Sequence, residues 1–493
     1  LNTAFSALGL EIPQADPSVS TALNYIFPFP KKVSDEKVPM LVMFDPAALN
    51  AATPVVIYQH GITTDRSAAL TFGSSLVDAL GGAVAVVAID QPLHGVAPFS
   101  LDDQEELATT LLTLGQSNGL PADLAPSQTT IDALIAKTLT IGFVGTSIGK
   151  DPSVPADLAV INGTIDTVIG GGTTGNAGLD LAIYAVRGFE NTVEGAGSTI
   201  PGLTPSVDGE RHFNFTADAA SNPIPMDFDK SSAVGSSGSL FINLTSFLTS
   251  RDNMRQMSTD LLNLRASISA IDMDGNAAPD FTGPVYFIGH SLGTLDGAPF
   301  IAASNENQTN YQHPIFNPGG LGVAANDISG ANLLTPGGGI VRLLENSPSF
   351  SPSILAGLAG AAGLVQGDAD IEAYFNVLQA TLDSVDPTNS ADNLAASSKV
   401  LLSMVIGDQV IPNSAYPAGL GLAQPAPLAG TEPLATSMGA EDVTTSIDLN
   451  TDSAGIVRYT AGSHGTPVLP ETGDADAALV YKEMVTQAVQ LIA

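Results

Sequence analysis

The stretch Pro284-Val-Tyr-Phe-Ile-Gly-His-Ser-Leu-Gly293 constrains the fold more than any other part of the chain. Its apolar residues read as a buried strand, and they run without a spacer into Gly289-His290-Ser291-Leu292-Gly293. A serine with glycine at both second neighbours suits a sharp strand-to-helix turn. The serine there sits in a strained conformation, and a side chain two residues away would strike a neighbouring strand or helix. The pentapeptide alone is weak: a chain with 49 Gly in 493 residues offers a second match at Gly145-Thr146-Ser147-Ile148-Gly149. Context has to choose between the two serines.

Upstream, Lys37 to Phe44 reads as a strand, and Thr53-Pro-Val-Val-Ile-Tyr-Gln-His-Gly61 is a continuous apolar run of the kind buried on both faces of a parallel sheet. The spacing of Ala68, Leu70, Phe72, Leu76 and Leu80 predicts a helix from Asp65 to Leu80, with Thr64 or Asp65 as N-cap and Gly81-Gly82 as the stop. Ala83 to Asp90 is then a second buried strand, which makes a β-α-β unit. From Pro92 to about Ser237 the alternation fails in a region rich in Gly, Pro, Ser and Thr, with helical pieces at Thr129–Leu139 and Asn176–Phe189. So long a structureless loop is improbable in a compact domain, and an inserted cap is expected instead.

Periodicity returns at Met254, Met257, Leu261, Leu264, Ile268 and Ile271, which share one face of a helix beginning near Ser250, with Arg251, Arg255 and Arg265 on its other faces. After Ser291 a helix is expected over Leu292–Ser304, kinked or shortened by Pro299, and His313–Phe316 is a candidate strand. Residues 346–398 form a second, helical insertion in which Leu355, Leu358, Ala362 and Val365 share a face; the expectation is a buried helix or else a mobile lid. Lys399–Ile406 and Ile456–Tyr459 are the last strands, and Asp474–Ile492 is a terminal amphipathic helix.

This order predicts an α/β chain of the α/β-hydrolase fold: a mostly parallel sheet flanked by helices, with a large inserted cap and a second helical insertion. Its parts are 1–92 (N-terminal arm and first part of the core), 93–237 (cap), 238–345 (core with the serine turn), 346–398 (helical insertion) and 399–493 (end of the core).

A serine hydroxyl needs a base, and the base needs a carboxylate, in the chain order serine, acid, histidine on this fold. Of six histidines only His313 and His464 follow Ser291, and His313 comes before any later strand can deliver an acid. His464 follows the last strand and precedes the terminal helix, so Ser291, Asp408 and His464 are the catalytic candidates. Asp408 stands at the end of the strand Lys399–Ile406, with Asp442 and Asp448 as rivals on loops. Leu139–Val144, upstream of Ser147, reads as strand-like, but Ser147 is disfavoured because Gly149–Pro155 cannot be the helix such a turn feeds. Two backbone N–H donors are needed for an oxyanion; Leu292 and Ile62 are the choice, with Gly61 behind Ile62. His60, His94 and His290 are possible substrate-lining side chains, although His60 reads first as a loop-holding residue and loop packing suits His94 at least as well as a place at the substrate mouth.

Composition excludes several classes. With 16 Lys+Arg against 50 Asp+Glu, net charge −34, the surface repels phosphate backbones, so no nucleic-acid partner is expected. The absence of cysteine rules out disulfides and thiolate chemistry. No signal sequence is recognised at Leu1, and the longest apolar run, Ser353–Val365, is too short for a membrane span, leaving at most peripheral membrane contact. Asp272, Asp274 and Asp280 do not follow a calcium-loop order, and neither a metal nor a cofactor is expected.

Several stretches together resemble the extracellular lipases and lysophospholipases of Gram-negative bacteria of the virulence-factor type: Val56–Thr63, Asp90–Gly95, Gly209–Asn214, Gly235–Leu244, Arg251–Gln256 and Gly289–Gly293. The resemblance implies a secreted or surface-attached carboxylic ester hydrolase with a Ser-His-Asp triad acting on acyl lipids. An N-terminal domain common in that family is expected to be shortened or absent. Short esters and aliphatic polyesters are alternative substrates, a peptidase is the rival chemistry on the same fold, and a catalytically silent binding protein is the rival from another class.

Overall fold

A computed structural model describes residues 34–96, 101–198, 203, 206, 209–218, 222–226, 237–273, 275–306, 328–417, 419–445, 449, 453–469 and 474–493. The strands are, in chain order, β1 (Met40–Met43), β2 (Val55–Gln59), β3 (Ala85–Ile89), β4 (Phe215–Ala217), β5 (Pro223–Pro225), β6 (Val285–His290), β7 (Ile328–Leu334), β8 (Lys399–Val405), β9 (Glu441–Asp442) and β10 (Ala454–Tyr459). Eight of them form one sheet in the order β1-β3-β2-β6-β7-β8-β10-β9, while β4 and β5 pair separately. Among the described strands of the large sheet only β1, against β3, runs antiparallel. This is the expected α/β-hydrolase sheet, and its parallel strands direct their carboxyl ends to one edge.

The chain divides into two compact units, one of residues 1–95, 208–224 and 236–493, the other of 96–207 and 225–235. The first holds the sheet. Every residue of β2 and β3 is buried, as their unbroken apolar sequences require. Alternation sorts β2 between two faces: Val55 and Ile57 join a core with Met257, Leu261, Phe287 and Phe300, while Tyr58 on the opposite face meets Phe72 of the helix Ala69–Ala79. That helix follows a 3-10 turn, Arg66–Ala68, whose N-cap Asp65 accepts from Ser67 N. Gly81 and Gly82 stop it with positive φ. The long helix runs from Phe247 to Ile268 and buries Met254, Met257, Leu261, Leu264 and Ile268; it also buries Arg251 and Arg265, which the amphipathic reading left outside. Ion pairing accounts for part of this, since Arg251 Nε lies 2.7 Å from Asp252.

Three expectations need correction. The sequence from Leu139 is helical (Leu139–Ile148), not a strand, and Gly149 closes it in the left-handed conformation. Pro299 does not shorten the helix after Ser291, which continues to Glu306; packing against the sheet and the helices Phe247–Ile268 and Ala391–Ser397 outweighs one missing N–H. The helix Ser351–Ala362 buries only Ser351 and Leu358, so it is no buried helix. His313–Phe316 lies outside the described residues. β7, unread in the sequence, carries Gly330 and Asn332, and Asn332 is hidden at the sheet centre, where it accepts from Ser403 Oγ at 3.1 Å.

The second unit is helical: Leu101–Ser117, Gln128–Ile135, Leu139–Ile148, Pro155–Ile169 and Ala177–Ser198, around two apolar clusters. Buried Glu190 accepts from Thr140 N (2.9 Å) and Oγ1 (2.8 Å) and pairs with Arg187. A hollow of about 500 Å³ lined by residues such as Ile148, Val160, Thr164 and Leu179 holds no ionisable group. Among the described residues no single helix is long and apolar enough to cross a membrane.

Asp296, on the helix Leu292–Glu306, is 1% exposed, and neither carboxyl oxygen finds a hydrogen-bond partner among the described residues. Burial raises its pKa well above the usual carboxylate value. The unfolded chain releases this proton near pH 3.9 while the folded chain retains it, so Asp296 favours folding fully below that pH and loses the advantage as pH rises through the folded value. Asp296→Asn should therefore raise the thermal midpoint at pH 8, by about 2–4 °C per kcal/mol relieved, and shift it little at pH 4. Thermal unfolding followed by circular dichroism at the two pH values checks this.

Candidate active site

β6 ends in His290 and the helix starts at Leu292, leaving Ser291 alone in the turn with φ 55°, a conformation that side-chain-bearing residues rarely adopt. Ser291 N donates to Leu334 O of β7 at 3.0 Å, and Thr294 N (2.8 Å) and Oγ1 (2.6 Å) donate to Ser291 O. Both flanking glycines are forced by close approach. A Cβ on Gly289 would lie 2.7 Å from Gly293 O, and one on Gly293 would overlap Gln59 O and lie 2.8 Å from His60 O. Ser147 instead lies inside the helix Leu139–Ile148, its hydroxyl donating to Phe143 O at 2.8 Å. Gly149 there serves as a helix cap.

At the end of β8, Asp408 is buried, and its Oδ1 accepts from Val410 N (2.7 Å) and Ile411 N (3.1 Å). Its other oxygen, Oδ2, lies 2.7 Å from His464 Nδ1. The carboxylate can only accept, so Nδ1 carries the proton and Nε2 is left as the basic nitrogen. The rival Asp442 pairs with Arg458 on the exposed β9 at 2.6 Å, and Asp448 lies outside the described residues. His464 follows β10 in a loop set by Gly462 (φ 86°) and by Ser463 N donating to buried Thr466 Oγ1 at 2.8 Å.

The loop after β2 packs against the serine turn: a Cβ on Gly61 would be 3.1 Å from Ser291 Cβ and 3.2 Å from His290 Nδ1. Gly61 O is fixed by His60 Nδ1 and by Thr64 Oγ1, each at 2.8 Å. Because the peptide is planar and trans, a fixed Gly61 carbonyl aims the Ile62 N–H the opposite way. Leu292, first residue of its helix, carries an N–H with no intrahelical acceptor.

For His60 and His94 the contacts match the loop-holding alternative, and His290 follows the same pattern. His60 and His94 are fully buried and His290 nearly so, and each ring is engaged with backbone. His60 Nε2 accepts from Gln91 N (3.1 Å) while Gln91 Nε2 donates to His60 O (2.6 Å), a reciprocal clasp between the β2 and β3 loops. Burial lowers the His60 pKa to about 4, so this ring stays neutral at pH 7. His94 stacks edgewise on His60 (5.0 Å) and Phe241 (5.3 Å), and a Cβ on Gly238 would overlap it. These rings hold the loops rather than line a surface.

Beneath this clasp lies an ion network that pattern reading missed. Arg66 pairs with Asp90 and, bidentately, with Glu210 at 2.8 and 3.0 Å; Asp90 Oδ1 also accepts from Arg66 N at 2.7 Å. Arg211 bridges Asp90 O (2.5 Å) and Asp260 Oδ2 (2.6 Å). Burial pushes Asp90 up to about 7 against the pull of Arg66. The available signal was the pair of stretches Asp90–Gly95 and Gly209–Asn214, which contain three of these residues.

Ile62 and Leu292 both belong to an apolar cluster with Phe241, Met254, Leu295, Ile340, Leu358, Ile371 and Phe375. It draws on the helices Ser351–Ala362 and Ala369–Leu382 of the 346–398 segment. Among the described residues no group of three His, Asp or Glu side chains is placed to hold a metal ion.

No family model and no curated protein matches the chain. Solved structures similar to it include a monoacylglycerol lipase of Paleococcus ferrophilus (10% identity, TM-score 0.31, 92% of this chain and 99% of that one covered). An S-formylglutathione hydrolase of Agrobacterium tumefaciens aligns at 10% identity and TM-score 0.33 over 92% and 90%. Carboxyl esterase 2 of the mycorrhizal fungus Tuber melanosporum aligns at 10% and 0.31 over 100% and 98%. At identities and scores this low, the fold assignment rests on the chain's own sheet order and serine turn.

Arg66→Ala would strand two buried carboxylates beside the β2 loop. The expected cost is about 3–5 kcal/mol, read as a lowered denaturant midpoint with unchanged slope.

Proposed function

We propose that the protein is a serine hydrolase of carboxylic esters. The observation that carries this is the 2.7 Å contact of His464 Nδ1 with Asp408, together with Ser291 on a strained turn at the same sheet edge. Ser291 Oγ attacks the ester carbonyl carbon and its proton passes to His464 Nε2. The alcohol leaves with that proton, and the acyl group stays on Ser291. Water then attacks the acyl-enzyme, gives its proton to Nε2, and the acid departs as Ser291 recovers its hydrogen. Asp408 holds the ring tautomer and stabilises its charged form, while the Leu292 and Ile62 N–H groups hold the oxyanion; one such donor is typically worth about 3–4 kcal/mol.

The acyl group is assigned to the apolar cluster around Ile62 and Leu292, which favours lipid-like or aliphatic polyester acyl chains over charged ones. The resemblance to virulence-factor lipases and lysophospholipases supports acyl lipids as substrates and an extracellular or outer-surface location in a Gram-negative bacterium. The acidic, cysteine-free composition is compatible with such a location. Buried side chains at the Gly209–Asn214 and Asp90–Gly95 stretches give those resemblance motifs a physical purpose, that of bracing the oxyanion loop.

Ser291→Ala should lower the hydrolysis rate of a p-nitrophenyl ester by about 10⁴-fold or more, and Ser147→Ala should leave it within twofold of wild type. Activity of Ser291→Ala within tenfold of wild type would refute the assignment.

A further inference from the structure

We infer that His290 is a positioning residue whose ring ties the backbone of the His464 loop to the serine turn, so that base and nucleophile share one anchor. The inference rests on the reading of Ser291 and His464 just proposed. His290 Nε2 lies 2.8 Å from His464 O. A carbonyl only accepts, so Nε2 carries the hydrogen and the ring is the Nε2–H tautomer, with Nδ1 bare. Nδ1 indeed finds no hydrogen-bond partner among the described residues. Burial, and then the neighbouring His464, hold the ring's pKa down to about 3, so the tautomer persists at neutral pH.

Two facts make this contact more than packing. His290 is the last residue of β6, in register with Leu334 of β7, and the next residue is Ser291, whose N–H is bonded to the same Leu334. The anchor therefore moves with the nucleophile. On the other side, the bond is made to the backbone of His464 itself, and the two rings lie 5.1 Å apart at 45°. Asp408 orients the His464 ring through Nδ1, whereas His290 fixes where that ring is mounted. A slip of about 1 Å in such a mounting can cost on the order of 10²-fold in rate. The slot also explains Gly61: a Cβ there would press to 3.2 Å from His290 Nδ1, so the oxyanion loop and the base loop approach the turn on opposite ring nitrogens.

His290→Phe keeps an aromatic ring of similar size, removes the unpartnered Nδ1, and deletes only the N–H that holds the His464 carbonyl. His290→Gln keeps an N–H donor on a flexible stem. kcat and KM on a p-nitrophenyl ester, with thermal midpoints, are measured for wild type, both variants and Ser291→Ala. His290→Phe should lower kcat roughly 10- to 100-fold with KM within about twofold, and His290→Gln should recover part of that loss. A purely structural role would lower the midpoint and the active fraction, leaving kcat per fluorophosphonate-titrated site unchanged and giving no rescue. A His290→Phe kcat within twofold of wild type, or equal loss in both variants, overturns the inference. Should His290→Phe not fold, His290→Asn, too short to span the gap, takes its place under the same criterion. Undiminished activity in Ser291→Ala would instead overturn the underlying assignment, an outcome distinct from either.

Discussion

The whole site depends on how closely the serine turn approaches the end of β2. At Gly293 the backbone of the turn meets the Gln59 and His60 carbonyls so tightly that no Cβ can be inserted, and Gly61 returns the contact against Ser291. These approaches bring a strained serine, the helix start at Leu292 and the loop carrying Ile62 into one small volume. Strain at a single φ of 55° persists only because flanking strands over-determine it, and here β2 and β7 enclose β6 on both sides.

Much of this was legible in the chain. Continuous apolar runs identified β2, β3, β6 and β8, and the chain order of serine, acid and histidine led to Asp408 and His464, which stand in contact. β7 was missed because Gly330 and Asn332 break its apolar pattern, yet the sheet centre accepts them: Asn332 Oδ1 accepts from Ser403 of β8, and Gly330 makes room beside Leu491. Leu139–Ile148 misled for the opposite reason, being apolar enough for a strand but capped as a helix by Gly149. Periodicity cannot separate the two over so short a run.

Partnerships between distant residues were the least legible part. The sequence offered His60, His94 and His290 as possible lining groups, with loop holding the first reading for His60 and an equal one for His94, but it did not show their partners. Each engages backbone through its ring: His60 with both nitrogens, at Gly61 and Gln91, and His94 and His290 with one each, at Pro92 and at His464. Likewise Arg66, Asp90 and Glu210 are separated by up to 144 positions, and nothing in their local spacing signals that one guanidinium serves two buried carboxylates. An unpaired buried polar group is costly, so these partnerships follow from where the fold puts the groups.

The central claim is that Ser291 is the nucleophile, and the most direct measurement is covalent. Treating the native protein with a fluorophosphonate and mapping the adduct by peptide mass spectrometry should give a single modification, on Ser291 within the Gly289–Gly293 turn. An adduct on Ser147 or another residue, or no adduct in a folded and ester-hydrolysing sample, would contradict the account.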